Sequence, residues 1–107
     1  MSELFDMKAF FDEKAAWSLA TFGPSDRYDR VVAHIRKELE EIEADPTDLE
    51  EWIDVVQLAM DGAWRAAGAD GARFVEALIT KHRKNLARKW TVGPDGVAEH
   101  VRETEQK

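Results

Sequence analysis

Cysteine is absent from the 107-residue chain. Its absence excludes a disulfide framework, a zinc–thiolate site, an iron–sulfur cluster and a cysteine nucleophile. Positive charge is in deficit, with 15 Lys and Arg against 22 Asp and Glu and a net charge of −7. A broad nucleic-acid-binding face needs clustered Lys and Arg, so no nucleic-acid partner is expected. No apolar run approaches the ~20 residues that span a bilayer, and no membrane partner is expected either. Glu3, Asp6, Asp12 and Glu13 read against a secretory leader. What remains is 44% hydrophobic and 35% charged, enough to build a core. The length fits one domain, and residues 1–107 are read as such.

Proline and glycine number only three and six, and most of them fall in clumps: Gly23-Pro24, Asp45-Pro46, Gly68 with Gly71, and Gly93-Pro94. Between the clumps the chain has helical period and good helix formers. The expected architecture is all-α, with four helices over about 3–21, 27–44, 46–67 and 71–89, and an irregular tail from Trp90 without strands. Asp45 can cap the third helix with Pro46 at its first position, or Thr47 and Glu50 can form a capping box. Gly68 suits the residue just past that helix's end. Short connections favour antiparallel neighbours.

The third helix is apolar almost all round, with Trp52, Ile53, Val55, Val56, Leu58, Met60 and Trp64, which suits a central, buried helix. It nevertheless holds a narrow stripe of Glu51, Asp54, Asp61 and Arg65. The second helix carries a matching stripe of His34, Glu38, Glu41 and Asp45. In an antiparallel hairpin these stripes can face each other, and four or five converging carboxylates cannot all ionise without compensating cations. Mg²⁺ or Mn²⁺ would suit them, because both are hard ions that take oxygen ligands. A solvated Glu-rich face is the plain alternative.

Helix four carries Lys81, Asn85 and Arg88 on one face. They could hold the far side of a metal-bound polyphosphate, or simply complement the helix dipole. On helix one, Trp17 with Ser18 and Thr21 offers an aromatic plate and two hydroxyls. That set suits a nucleobase, although an aromatic at such a position also suits a core.

Glu38-x-x-Glu41 followed by Glu51-x-x-Asp54 resembles the ExxE…ExxD signature of the all-α nucleoside triphosphate pyrophosphohydrolases, a superfamily that includes MazG and the dimeric dUTPases. The chain is most similar to the MazZ-type dATP/dGTP diphosphohydrolases. Further matching segments are Trp17-Ser18 with Thr21-Phe22-Gly23, His34-Ile35, Asp45-Pro46-x-Asp48, Asp61-Gly62-x-x-Arg65, Lys81, Asn85, Arg88 and Trp90, and Glu99-His100. Arg88-Lys89-Trp90-Thr91 stands where that family often has Arg-Trp-Pro.

The resemblance implies a four-helix MazG-like bundle. It implies hydrolysis of a purine deoxynucleoside triphosphate, dGTP or dATP, to the monophosphate and pyrophosphate. Glu38, Glu41, Glu51 and Asp54 would be the catalytic metal ligands for Mg²⁺ or Mn²⁺, unless one of them instead orients or deprotonates the attacking water. Lys81, Asn85 and Arg88 would hold phosphates, and Trp17, Ser18 and Thr21 would lie towards base and sugar. His34 would touch substrate or support Glu38, and Asp61 would stand behind the site. The resemblance also implies a homodimer or homotetramer in the cytoplasm of a bacterium or a phage-infected cell.

Other classes fit less well. A di-iron bundle needs Glu-x-x-His pairs, and the residues three before His34, His82 and His100 are Val31, Ile79 and Val97. The Nudix pattern fails at Ile42, and the His-Asp dipeptide of HD-type hydrolases is missing. The remaining alternative is a non-catalytic helical interaction module whose acidic stripes are salt-bridged in an oligomer.

Overall fold

Asp6 sets where the first helix begins. Its side chain accepts a hydrogen bond from the Ala9 amide at 3.0 Å, satisfying one of the donors that a helix N-terminus leaves free. The computed structural model describes residues 4–24 and 27–101. It contains α1 (Met7–Phe22), α2 (Tyr28–Ala44), α3 (Leu49–Ala66) and α4 (Gly71–Ala87), then two short strands, β1 (Trp90–Val92) and β2 (Ala98–His100). The expected all-α, four-helix architecture is present.

The helix ends differ from expectation in instructive ways. α1 starts at Met7, after the Asp6 cap, and Leu4 and Phe5 before it are not helical; residue 3, where the expected helix begins, lies outside the described residues. α3 is capped by Asp48, whose carboxylate accepts from the Glu50 amide at 3.0 Å, and not by Asp45. Asp45-Pro46-Thr47-Asp48 is instead a turn closed by the Asp48 amide on the Asp45 carbonyl at 3.2 Å. Proline at the second place of such a turn is favoured by its fixed φ. The Thr47 hydroxyl donates to Asp45 Oδ1 at 3.1 Å, so the Thr47–Glu50 capping box does not form. Gly68 stands just past the end of α3 at φ +71°, a backbone that L side chains rarely adopt. α4 ends at Ala87, two residues short of the expected 89.

The tail corrects the expectation of an irregular, strandless segment. β1 and β2 pair antiparallel in the register Trp90↔His100, Thr91↔Glu99, Val92↔Ala98. Gly93-Pro94-Asp95-Gly96 makes the turn, with the Gly96 amide donating to the Gly93 carbonyl and the Gly93 amide to the Val97 carbonyl, each at 2.9 Å. Gly96 takes φ +81°, and Asp95 Oδ1 accepts from the Val97 amide. This is hairpin chemistry between two short β-prone runs.

The chain divides into two compact units, Met1–Val75 and Glu76–Lys107. In the first, α2 packs along α3 and α1 against α3. Phe11, Ala15 and Trp64 form the core, with Met60 and Phe74 against them. Phe11 and Phe74 stack with centroids 3.8 Å apart. Gly62 faces Val31 across the α2–α3 contact, where a Cβ would meet Val31 Cγ1 at an ordinary 3.4 Å. α3 is not buried all round as expected. Trp52, Ile53 and Val56 are 50%, 42% and 49% exposed, so its apolar girth exceeds what α1 and α2 cover. In the second unit the Trp90 indole donates to the Asn85 carbonyl at 2.9 Å and meets His100 edge-on. This anchors the hairpin to the end of α4.

Candidate active site

The α2–α3 pairing brings one carboxylate oxygen each from Glu38, Glu51 and Asp54 to within 4.8 Å of one another. Glu38 comes from α2, while Glu51 and Asp54 stand one turn apart on α3. Glu38 is largely buried and is met by His34 Nε2 at 3.3 Å, one helical turn away. Burial pushes the Glu51 carboxyl above its ordinary range, and the charges of Glu41, Asp48, Asp54 and Glu38 push it the same way. Glu41 is exposed and outside this trio, although Glu51 feels its charge. Three hard oxygens converging under mutual repulsion are a donor set suited to a divalent cation.

A cavity of about 340 Å³ opens beside the trio. Its lining includes Glu38, Asp54 and Gln57 together with Trp17, Ser18, Phe22, Val31 and Leu58. Trp17 is 57% exposed and sits edge-on to Phe22 at 5.6 Å. Thr21 is exposed and does not line the cavity. The cavity also has cations that the sequence reading did not single out: Lys14 from α1, and Arg27 and Arg30 at the start of α2. The Arg27 guanidinium lies 4.4 Å from the Phe22 ring centroid and Lys14 Nζ 5.9 Å from the Trp17 ring. Burial holds the Lys14 ammonium below its ordinary pKa, opposed by the charge of Asp61. A helical-wheel signal was available for part of this wall, because Arg27, Arg30 and His34 follow i, i+3, i+7 spacing.

Ser18 and Asp61 of the cavity lining belong to a buried polar network. Ser18 is 1% exposed and its hydroxyl donates to Asp61 Oδ1. Arg65 Nε donates to Asp61 Oδ2 at 3.2 Å, Nη2 to Ser18 Oγ at 3.0 Å and Nη1 to the Gly23 carbonyl at 2.8 Å. Asp61 therefore stands apart from the trio, tying the end of α1 to α3. This leaves Ser18, expected towards base and sugar, with its hydroxyl already engaged on the cavity wall.

Lys81, Asn85 and Arg88 belong to the second unit. Lys81 is exposed, and Arg88 Nη1 donates to Asn85 Oδ1 at 3.1 Å, so the two half-buried residues hold each other.

Carboxylates with the donor chemistry for a divalent cation thus stand beside a cavity lined by cations and an indole. Residues 10–107 match the family model of the dATP/dGTP pyrophosphohydrolases, and the chain belongs to that family. It is accordingly a nucleoside triphosphate pyrophosphohydrolase, not a non-catalytic interaction module. Comparisons with curated proteins and with solved structures gave no match.

Proposed function

We propose that this enzyme hydrolyses dGTP and dATP to the monophosphate and pyrophosphate in a Mg²⁺- or Mn²⁺-dependent reaction that controls the cellular nucleotide pool. The carrying observation is the meeting of Glu38, Glu51 and Asp54 beside a cavity of about 340 Å³ that Glu38 and Asp54 help to line. These three residues would hold the ion, with Glu41 completing the set or orienting the attacking water. A bound divalent ion supplies charge neutralisation for the leaving pyrophosphate and lowers the pKa of water. His34 keeps the Glu38 carboxylate oriented through its 3.3 Å contact. Trp17 offers a face for the base. The enzyme acts as a homodimer or homotetramer in the cytoplasm, and the exposed Trp52, Ile53 and Val56 support the self-association.

The test is a nucleotide panel with Mg²⁺ or Mn²⁺, with products separated by chromatography. Monophosphate and pyrophosphate are expected, and EDTA should abolish turnover. Glu38→Gln, Glu41→Gln, Glu51→Gln and Asp54→Asn should each remove most activity from a folded protein. Release of inorganic phosphate as the first product, or near-normal turnover in all four variants, would overturn the reading.

A further inference from the structure

The cavity takes its lining from α1, α2 and α3, yet among the described residues α1 packs on α3 and not along α2. Where the end of α1 stands is therefore set from α3. The group that sets it is Arg65, whose side chain is 3% exposed. All three of its nitrogens are bonded. Nε holds Asp61 Oδ2 on its own helix, while Nη2 and Nη1 reach across to Ser18 Oγ and the Gly23 carbonyl of α1. Ser18 completes the circuit by donating to Asp61 Oδ1. The last carbonyls of a helix lack partners within it and carry its negative dipole end. α1 has no basic residue in its last turn, so the guanidinium from α3 supplies that charge.

The two cavity rings of α1, Trp17 and Phe22, each stand one residue from a group that Arg65 holds. They also meet each other edge-on at 5.6 Å, so a shift of one carries the other. We infer that Arg65 is a positioning residue for the ligand cavity, fixing the Trp17–Phe22 wall through Ser18 and the Gly23 carbonyl. What fills the cavity rests on the nucleotide reading above. Arg65 acts on the wall and not on the metal centre. On α3, Asp61 and Arg65 lie roughly two and three turns beyond Asp54, about 10 and 16 Å by helical rise. A lysine at position 65 would keep the charge facing Asp61. Its single ammonium lacks the planar fork that reaches Ser18 and Gly23 together. Arg65→Lys therefore separates the ion pair from the clasp on α1.

The test combines steady-state kinetics on dGTP, calorimetry with Mn²⁺ and fluorine NMR of protein labelled with 5-fluorotryptophan, in which Trp17→Phe assigns the Trp17 resonance. Arg65→Lys, folded by circular dichroism, should shift or broaden the Trp17 resonance and leave those of Trp52 and Trp90 in place. It should raise KM roughly fivefold to tenfold, the scale of one lost charge-assisted hydrogen bond, with kcat and Mn²⁺ affinity within about twofold of wild type. Combined with Trp17→Ala it should add little to the loss that Trp17→Ala causes alone, because both act through one ring. Ser18→Ala leaves the Asp61–Arg65 pair intact. It should move KM and the Trp17 resonance the same way, and it decides the matter if Arg65→Lys does not fold. An unmoved Trp17 resonance, fully additive losses, or parallel losses of kcat and Mn²⁺ affinity would overturn the inference. Absence of dGTP turnover in wild type would sink the nucleotide reading alone, since the Trp17 resonance still decides this one. Turnover with an unmoved resonance would do the reverse.

Discussion

Glu51 is ionised at a cost that folding must bear. In the folded chain its carboxyl lies above the ordinary range, first through burial and then through neighbouring carboxylates. In the unfolded chain it returns to the ordinary value, so the folded state binds the proton more tightly. The Glu51 contribution to the stability of the metal-free protein is therefore most favourable when the carboxyl is protonated and is lost as pH rises through its folded pKa. Glu51→Gln should raise the melting temperature in EDTA at neutral pH, and the gain should shrink as the buffer approaches about pH 4.5. Thermal melts of the two proteins across that range provide the check. Asp61 is held by a buried ion pair, its side chain and that of Arg65 being 8% and 3% exposed. Asp61→Ala leaves a buried guanidinium without its carboxylate and should cost about 3–5 kcal/mol in urea denaturation. The carboxylates of the trio were legible in the sequence because i, i+3 spacing on a helix is local information. The cation wall was not, since Lys14 and the two arginines lie on different helices and meet only through tertiary packing.

The α2–α3 hairpin is the element that makes the site, and its turn fixes which carboxylates meet. Asp45 and Asp48 are both competent caps, and sequence alone could not choose between them. The Pro46 turn decides it, placing Asp48 at the start of α3 and Glu51 one turn inside. Asp48→Ala should destabilise the fold by about 1 kcal/mol, the usual worth of such a cap, whereas Thr47→Ala should change little. Chemical denaturation of both variants checks the assignment. The helix count followed from the spacing of apolar residues and breakers. The terminal hairpin escaped because its strands are three residues each, too short for a convincing alternation, although Gly93-Pro94-Asp95-Gly96 carried the turn signal.

At the scale of the whole molecule, the apolar surface exceeds what one chain hides. Trp52, Ile53 and Val56 leave α3 half open, and Leu39 on α2 is also exposed. We expect light scattering to give a dimer or tetramer, and Ile53→Arg or Val56→Arg to shift it towards monomer. A wild-type monomer at all concentrations would contradict that expectation. The apolar girth of α3 was plain in the sequence. What covers it was not, because a helix buried within one chain and a helix buried between chains share the same composition.

The placing of the indoles has an optical consequence. Trp64 is locked in the core, while Trp52 and Trp90 stand on surfaces outside the cavity lining. Trp17 is the one tryptophan on the cavity wall, and it is more than half exposed. A planar base settling against it would change its emission and leave the other three as an internal reference. Occupancy of the site can thus be followed from the protein's own fluorescence, without a label and before any bond is broken.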